Sequence, residues 1–147
     1  MQRARKYIAD PAINFPAADI SFEQLSRRGA LLKLRLYFSR VIDGPDHDLE
    51  LVFSQPLAFQ WEGEHLGLIG LPGDLPKCDA PFFARWTYPI LAIDESPWAD
   101  KYARRIFTAE EFKVKVVSHF AFISMNDLVH VLSVEQPKAQ WVQSSDA

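Results

Sequence analysis

The sequence predicts a mainly β (α+β) fold, a single antiparallel, strongly twisted sheet or partly open barrel with one or two short helices. Two observations predict it. Residues 112–133 consist of two β-rich runs broken only at residues 125–127, which is the pattern of an antiparallel hairpin. Residues 30–40 alternate apolar and polar side chains, which is the pattern of a strand with one buried face. Helix signals are sparse by comparison.

The first elements are an arm and a short helix. Residues 1–19 carry two prolines and no sustained period, which predicts an extended or poorly ordered arm. Ser21 and Gln24 have the spacing of a capping box, and Gly29 supplies a helix stop. These residues together predict a short helix over residues 22–28.

Three strands follow in the N-terminal half. After the strand over residues 30–40, a turn-rich stretch at residues 43–46 leads to an alternating segment over residues 48–54. A third alternating segment over residues 57–61 begins just after Pro56, which suits a strand start or a sheet edge. The first two strands are predicted to form a hairpin.

The C-terminal half begins with a long loop over residues 67–81 that is rich in glycine and proline. A β-like segment over residues 82–93 follows. Ser96 as N-cap and Pro97 at the first helical position then predict a helix. A capping box that begins at Thr108 predicts one further helical turn before the hairpin.

Composition excludes several classes of protein. The 147 residues, 48% of them hydrophobic, are enough for one domain with its own core, which would end in a polar tail over residues 137–147. The net charge of -3 argues against a nucleic-acid partner. Cys78 is the single cysteine, so no intrachain disulfide is possible and nothing indicates an oxidising compartment. With no apolar run long enough to span a membrane, we expect a cytoplasmic protein without a membrane partner.

Two histidines are the first candidates for chemistry. His119 and His130 flank the predicted hairpin turn and could project to the same face of the sheet. Paired imidazoles could bind zinc or carry protons, although the sequence names no third ligand. The alternative is two half-exposed strand histidines without a special role. Cys78 beside Lys77 could form a thiolate, but an inert loop cysteine explains it better.

Two acidic loops are the next candidates. Asp43, Asp46 and Asp48 lie close together with a histidine and could hold a divalent cation, but a polar hairpin turn explains them better. Glu62 and Glu64 could act as an acid–base pair if a pocket separated their pKa values. A solvated loop is the simpler interpretation. We therefore treat these five carboxylates as candidate binding residues and expect no metal and no cofactor.

Part of the chain resembles known bacterial proteins. The hairpin sequence over residues 119–133, preceded by residues 93–98, looks like small uncharacterised bacterial proteins. The segment LELVFSQPLAFQWEGE, residues 49–64, is similar to strands of immunity proteins of bacterial toxin systems. The resemblance covers about half of the chain in style and matches no diagnostic residue set. It implies a bacterial accessory or inhibitor protein and assigns no functional residue.

Three functions stay open. The leading hypothesis, which leans against an enzyme, is an immunity-type module in which acidic loops steer a basic protein partner and aromatic residues such as Trp61 and Trp98 anchor it. The second is a small-molecule-binding domain or minor enzyme, with residues 67–81 as a lid and a pocket containing His119, His130 or a Glu with a shifted pKa. The third is a structural homo-oligomer, such as a homodimer joined by an exposed edge strand.

Overall fold

The structure is a computed structural model that describes residues 3–13, 16–25, 31–38, 47–54, 56–62, 88–124 and 127–143. In these residues it contains nine strands and two short helices, which confirms the mainly β antiparallel fold class. The elements are β1 (Arg3–Lys6), β2 (Asp19–Leu25), β3 (Leu31–Tyr37), β4 (His47–Ser54), β5 (Ala58–Glu62), β6 (Ile90–Asp94), α1 (Pro97–Ile106), α2 (Ala109–Val114), β7 (Ser118–Ile123), β8 (Leu128–Ser133) and β9 (Lys138–Gln143).

The strands form two sheets, where the sequence predicted one. One sheet has the order β1-β6-β7-β8-β5 and the other has the order β2-β3-β4-β9, and neighbouring strands are antiparallel in both. The sheets face each other across a shared core. Phe53 of β4 lies with its ring centroid 5.5 Å from that of Phe120 and 5.9 Å from that of Phe122, both on β7.

The four-stranded sheet has one buried and one polar face, as alternation predicts. Leu32, Leu34 and Leu36 of β3 are fully buried in the core between the sheets. On the opposite face, Lys33 lies 3.6 Å from Glu50 in an ion pair. The basic side chains of this strand are therefore matched by acidic neighbours, which is the arrangement of a solvated sheet face.

The five-stranded sheet is buried on both faces in its centre. Every residue from His119 to Ile123 on β7 is buried. Phe120 and Phe122 face the other sheet, and His119 faces Trp98 of α1. Helix α1 begins as the sequence predicts, with Ser96 as N-cap and Pro97 in its first turn. A hydrogen bond of 2.7 Å from the Tyr102 hydroxyl to the Leu57 carbonyl holds this helix across the sheet.

The predicted helix over residues 22–28 is wrong, because Asp19–Leu25 forms strand β2. Phe22 pairs with Leu34 of β3, and the Ser21 hydroxyl lies 3.0 Å from the Tyr37 hydroxyl instead of capping a helix. Pairing with β3 along Asp19–Leu25 gives β2 backbone hydrogen bonds on one side, whereas a short isolated helix is only marginally stable in water.

Three other boundaries differ from the sequence prediction. The capping box at Thr108 is confirmed, but α2 extends to Val114, so the first hairpin strand begins only at Ser118. Lys138–Gln143, expected as a polar tail, forms strand β9 beside β4. Arg3–Lys6 in the expected arm forms β1 beside β6. Neighbouring strands offer hydrogen-bond partners that local sequence does not reveal.

Several predictions fall on parts of the chain that are not described. The loop over residues 67–81 lies outside the described residues, and so does the segment 82–87 of the predicted strand over residues 82–93. Within the described residues, no helix is both long and apolar enough to cross a membrane.

Candidate functional site

The candidate site lies where β6 leads into α1. Strand β6 ends at Asp94, Glu95 forms the turn with a φ of 53°, and Ser96 caps α1. A positive φ is unfavourable for a residue with a Cβ and costs about 1–2 kcal/mol. The tight connection places the Ser96 side chain against the face of the sheet that α1 covers.

Ser96 begins a chain of hydrogen bonds through two histidines. The Ser96 Oγ lies 2.7 Å from His119 Nδ1, and His119 Nε2 lies 2.8 Å from His130 Nδ1. The Ala99 backbone N–H also donates to the Ser96 Oγ, over 3.2 Å, as the N-cap bond of the helix. We call Ser96, His119 and His130 the serine–histidine chain.

Strand register explains why the two histidines meet. His119 pairs across the β7–β8 ladder with Leu132, while His130 pairs with Ala121. The histidines are therefore diagonal neighbours on one face of the sheet, within reach of each other's ring. Both rings project toward α1. The sequence left such a shared face possible, and the strand register decides it.

Trp98 of α1 closes over the serine–histidine chain. Its ring meets the His119 ring edge-on at a centroid distance of 5.1 Å and the His130 ring at 6.2 Å. His119 and His130 are only 4% and 6% exposed, and Ser96 is 6% exposed. This packing limits rotation of the imidazoles and holds the hydrogen-bond geometry.

Burial determines the charge of His119. Removal from water, with a smaller contribution from neighbouring His130, lowers the His119 pKa from 6.5 to about 3. His119 is therefore neutral at neutral pH and has one ring nitrogen that donates and one that accepts. Two tautomers of His119 fit these contacts. In one, Ser96 donates to His119 and His119 donates to His130; in the other, both donor and acceptor roles are reversed.

A cavity of about 460 Å³ adjoins this chain, and Ser96 and His119 both line it. Its apolar walls include Ala103, Phe112 and Val116. We call this cavity the α1–α2 cleft, since side chains of both helices line it.

Charged residues of both signs also line the α1–α2 cleft: Arg5, Asp94, Glu95, Asp100 and Lys115. Arg5 forms an ion pair of 3.0 Å with Asp94, and both line the cleft. Lys115 lies 3.1 Å from Glu111, and Asp100 lies 3.0 Å from Arg104. Because charges of both signs line the cleft, it does not select strongly for an ion of either sign.

A second feature lies at the open edge of the sandwich, at the ends of the two sheets. Trp61 is 50% exposed and donates a hydrogen bond of 2.9 Å to Asp127. Phe22, which is 41% exposed, has its ring centroid 6.2 Å from that of Trp61. Burial, together with the adjacent carboxyl of Asp19, raises the Asp127 pKa. We call Phe22, Phe59, Trp61, Asp19 and Asp127 the aromatic–acidic edge.

The predicted acidic binding residues have different placements. Asp48 is fully buried, accepts a hydrogen bond from the Phe38 N–H over 3.1 Å and forms a 3.3 Å ion pair with Arg35. It therefore holds the fold and does not belong to an acidic surface, because its oxygens are turned inward. Glu62 is the last residue of β5, and the structure describes only its backbone.

The other predicted residues divide between the two features. Asp43, Asp46, Glu64 and Cys78 lie outside the described residues. Trp61 is an exposed aromatic residue, as an anchor must be. Trp98 is half-buried against the histidine pair instead.

Sequence reasoning assigned Ser96 only a capping role and missed its bond to His119. The signal was a Ser-Pro helix start directly after a strand, which places a hydroxyl at the end of a sheet. The zinc alternative for His119 and His130 is not supported by the described residues, among which no group of three or more metal-binding side chains occurs.

No family model matches this chain, and comparisons with curated proteins and with solved structures find no similar protein. The interpretation of the site therefore depends on its own geometry.

Proposed function

We propose that the protein is a cytoplasmic domain that binds a small organic molecule in the α1–α2 cleft. The observation that carries this proposal is the position of His119, a buried histidine with a lowered pKa that lines a cavity and is hydrogen-bonded to Ser96. Buried titratable groups that face a cavity are a common mark of a binding site. A purely structural polar network would not require an adjoining cavity.

The lining residues indicate an uncharged ligand. A cavity of about 460 Å³ lies within the usual range of ~300–1,000 Å³ for small-molecule sites. Phe112 and Val116 suit an aromatic or aliphatic body, and Ser96 and His119 suit one hydrogen-bonding group such as a carbonyl or hydroxyl. The charges of both signs in the cleft lining give no reason for a formal charge on the ligand.

Nuclear magnetic resonance with labelled histidine rings tests this proposal. We expect acetanilide or benzyl alcohol, at millimolar concentration, to shift the His119 and His130 ring signals. The signals of His47, which is exposed on β4, should stay in place. Absence of any shift at His119 with either probe, in a protein whose spectrum is folded, would contradict a binding site in the cleft.

A pair of variants makes the test specific. Ala103→Leu adds bulk to the cleft wall, since Ala103 lines the cavity, and should weaken probe binding at least about tenfold. Ala109→Leu adds the same bulk at an exposed position of α2 and is the matched control. Equal binding by both variants would place the probe elsewhere.

A second candidate function is binding of a basic protein partner, as in an immunity-type protein, at the aromatic–acidic edge. The half-exposed Trp61, held by its hydrogen bond to Asp127, favours it, because exposed Trp residues often anchor protein interfaces. Nearby carboxylates would attract a basic partner and make binding sensitive to salt.

This second candidate predicts a specific pattern of loss. A stoichiometric partner captured from lysate should be lost with Trp61→Ala and weakened by added salt. Phe112→Ala, which removes an aromatic residue of similar exposure from α2, should retain it. A partner that both variants retain would contradict the assignment to this edge.

A further inference from the structure

We propose that Ser96 is a nucleophile that attacks the carbonyl carbon of small, uncharged esters bound in the α1–α2 cleft. This inference rests on the proposed function of the cleft as a ligand site. It goes further by assigning a reaction, acyl transfer to the Ser96 hydroxyl and then to water. His119 is the catalytic base, and His130 is its acceptor.

The backbone around Ser96 has the form that presents a nucleophile. Ser96 follows a strand, sits in a tight turn beside the strained Glu95, and begins a helix of ten residues. Strained strand–turn–helix connections expose a serine hydroxyl in the α/β class of hydrolases. The partial positive charge at the start of α1 favours an oxygen that becomes more negative during attack.

Hydrogen bonds at Ser96 leave its oxygen able to react. The Ala99 N–H occupies one lone pair of the Oγ, and the bond to His119 Nδ1 directs the hydroxyl proton toward the imidazole when that nitrogen is unprotonated. The second lone pair can then point into the cleft, which Ser96 lines. A nucleophile, a base within 2.7 Å and a third group that orients the base form the minimal arrangement for covalent catalysis.

The second histidine extends the proton path beyond His119 but does not remove the cost of a buried charge. A positively charged His119 would be costly in this buried position, so His119 is a weak base when it acts alone. Because His119 Nε2 is bonded to His130 Nδ1, His119 can accept a proton at Nδ1 while it releases one from Nε2. His119 then stays neutral throughout, and the positive charge is carried by His130, which is 6% exposed and also meets the cost of burial.

The Oγ–carbon bond forms while the hydroxyl proton moves to His119 and a proton moves from His119 to His130. The bond between the carbonyl carbon and the alcohol oxygen then breaks, and the two protons return so that the alcohol leaves neutral. Water attacks the acylated Ser96 by the same proton path. The carboxylic acid leaves, the Ser96 hydroxyl is restored, and the net reaction is ester plus water to acid plus alcohol.

An ethyl fluorophosphonate ester tests the proposal on the full-length wild-type chain. Attack by the Oγ forms an oxygen–phosphorus bond, fluoride leaves, and the proton passes to the histidine pair. We expect one phosphonyl group per chain, located on Ser96 by peptide mapping. Ser133 is equally buried but is hydrogen-bonded to the Glu135 backbone, so it should stay unmodified. A folded wild-type chain that stays unlabelled, or is labelled at other serines, overturns the proposal.

Variants then assign the roles. Ser133→Ala should label like the wild type, whereas Ser96→Ala should not label. In folded protein, His119→Gln and His130→Gln should each slow labelling about 100-fold or more, the usual contribution of general base catalysis. Labelling of either histidine variant at the wild-type rate would overturn the proton path.

The binding and labelling results separate the two proposals. Acetanilide binding without labelling of Ser96 would overturn the nucleophile and leave the ligand site intact. Failure of both experiments on folded protein would overturn the ligand site as well.

Discussion

At the scale of single residues, the serine–histidine chain shows how a buried polar group is stabilised. A buried donor or acceptor without a partner costs about 1–3 kcal/mol. His119 avoids this cost because each of its nitrogens has a partner, Ser96 on one side and His130 on the other. Burial lowers the His119 pKa and keeps the ring neutral. Because unfolding would restore the usual pKa, protonation of His119 reports on whether the chain is folded.

The first prediction concerns the pH dependence of stability. His119 has a lower pKa in the folded chain than in the unfolded chain, so its contribution is fully present above pH 6.5 and declines as the pH falls toward 3. Between pH 7 and pH 5 we expect the free energy of unfolding to fall by about 2 kcal/mol from this group. Urea denaturation at several pH values measures it.

Two controls accompany that measurement. His47→Gln, which changes an exposed histidine of β4, should keep the wild-type pH slope, whereas His119→Gln should reduce it. A ring titration by nuclear magnetic resonance reads the same group directly in the wild type. Protonation of His119 between pH 6 and 7 would show the assigned electrostatics to be incorrect.

The second prediction concerns Asp48. Because its carboxylate is buried against Arg35 and the Phe38 N–H, Asp48→Ala should destabilise the chain by roughly 3–5 kcal/mol. Asp94→Ala breaks an exposed ion pair with Arg5 and should cost less than about 1 kcal/mol. Chemical denaturation of both variants checks the difference. Equal effects would mean that Asp48 has no structural role in holding β4 to β3.

At the scale of elements, capping determines where the helices lie. Helix α1 combines an N-cap serine with a proline in its first turn, and its buried residues, Ala99 and Ala103, face inward. Helix α2 has a complete capping box but no buried residue. The stability of α2 therefore depends on its caps, whereas α1 is also held by packing against the sheet.

The third prediction follows for α2. Thr108→Ala removes the side-chain oxygen that accepts the Glu111 N–H and should cost about 1 kcal/mol, which corresponds to a roughly fivefold loss of protection. Amide hydrogen exchange at Phe112, whose N–H bonds to the Thr108 carbonyl, measures it. Thr108→Ser keeps the hydroxyl and should keep the protection. Unchanged exchange in the alanine variant would show that contacts other than the cap hold α2.

The two chain ends also depend on contacts between elements. Trp141 of β9 donates a hydrogen bond of 3.0 Å to Asp10, and its ring centroid lies 5.8 Å from that of Phe38. This side chain joins the segment after β1 to the last described strand. β9 is thus held by its pairing with β4 and by the contacts of Trp141.

At the scale of the whole molecule, the fold consists of two sheets that share one apolar core. Phe53 is central to it, because its fully buried ring touches β7 of the opposite sheet through Phe120 and Phe122. The outer face of the five-stranded sheet is covered by α1 at the histidines, and the α1–α2 cleft adjoins that cover. His119 and the ring contacts of Phe53 therefore lie on opposite faces of β7, and Phe120 takes part in both the core and the cleft lining.

The fourth prediction tests this division. Phe53→Ala should destabilise the chain by roughly 3–5 kcal/mol, because it opens a cavity between the sheets. Phe22→Ala removes the same side chain from a half-exposed edge and should cost clearly less. Urea denaturation compares them. Similar losses in the two variants would argue against a core centred on Phe53.

The homo-oligomer alternative also belongs to this scale. Strand β9 lies at the end of its sheet in the described structure, with mostly exposed side chains. Pairing of such an edge with a second copy stays a prediction. Light scattering over a range of protein concentrations would reveal it.

How far the sequence predicts this molecule depends on the range of the interactions. The alternation in β3 and β4 and the caps at Ser96 and Thr108 are local signals, and each appears in the structure where it was expected. The antiparallel pairing of β7 with β8 also agrees with the predicted hairpin. The surface placement that the sequence suggested for Asp48 and Trp98 is wrong. Their contacts come from elements distant in sequence, so local patterns do not reveal them.

The sequence by itself determined the mainly β class, the alternating faces and the helix starts, because these follow from side chains within a few residues of each other. Only the tertiary structure decided that residues 19–25 form a strand, that the strands divide into two sheets, and that Ser96 meets His119 and His130. Those outcomes depend on strand register and on contacts between distant segments. Such contacts give buried polar groups their hydrogen-bond partners only when the whole fold is formed.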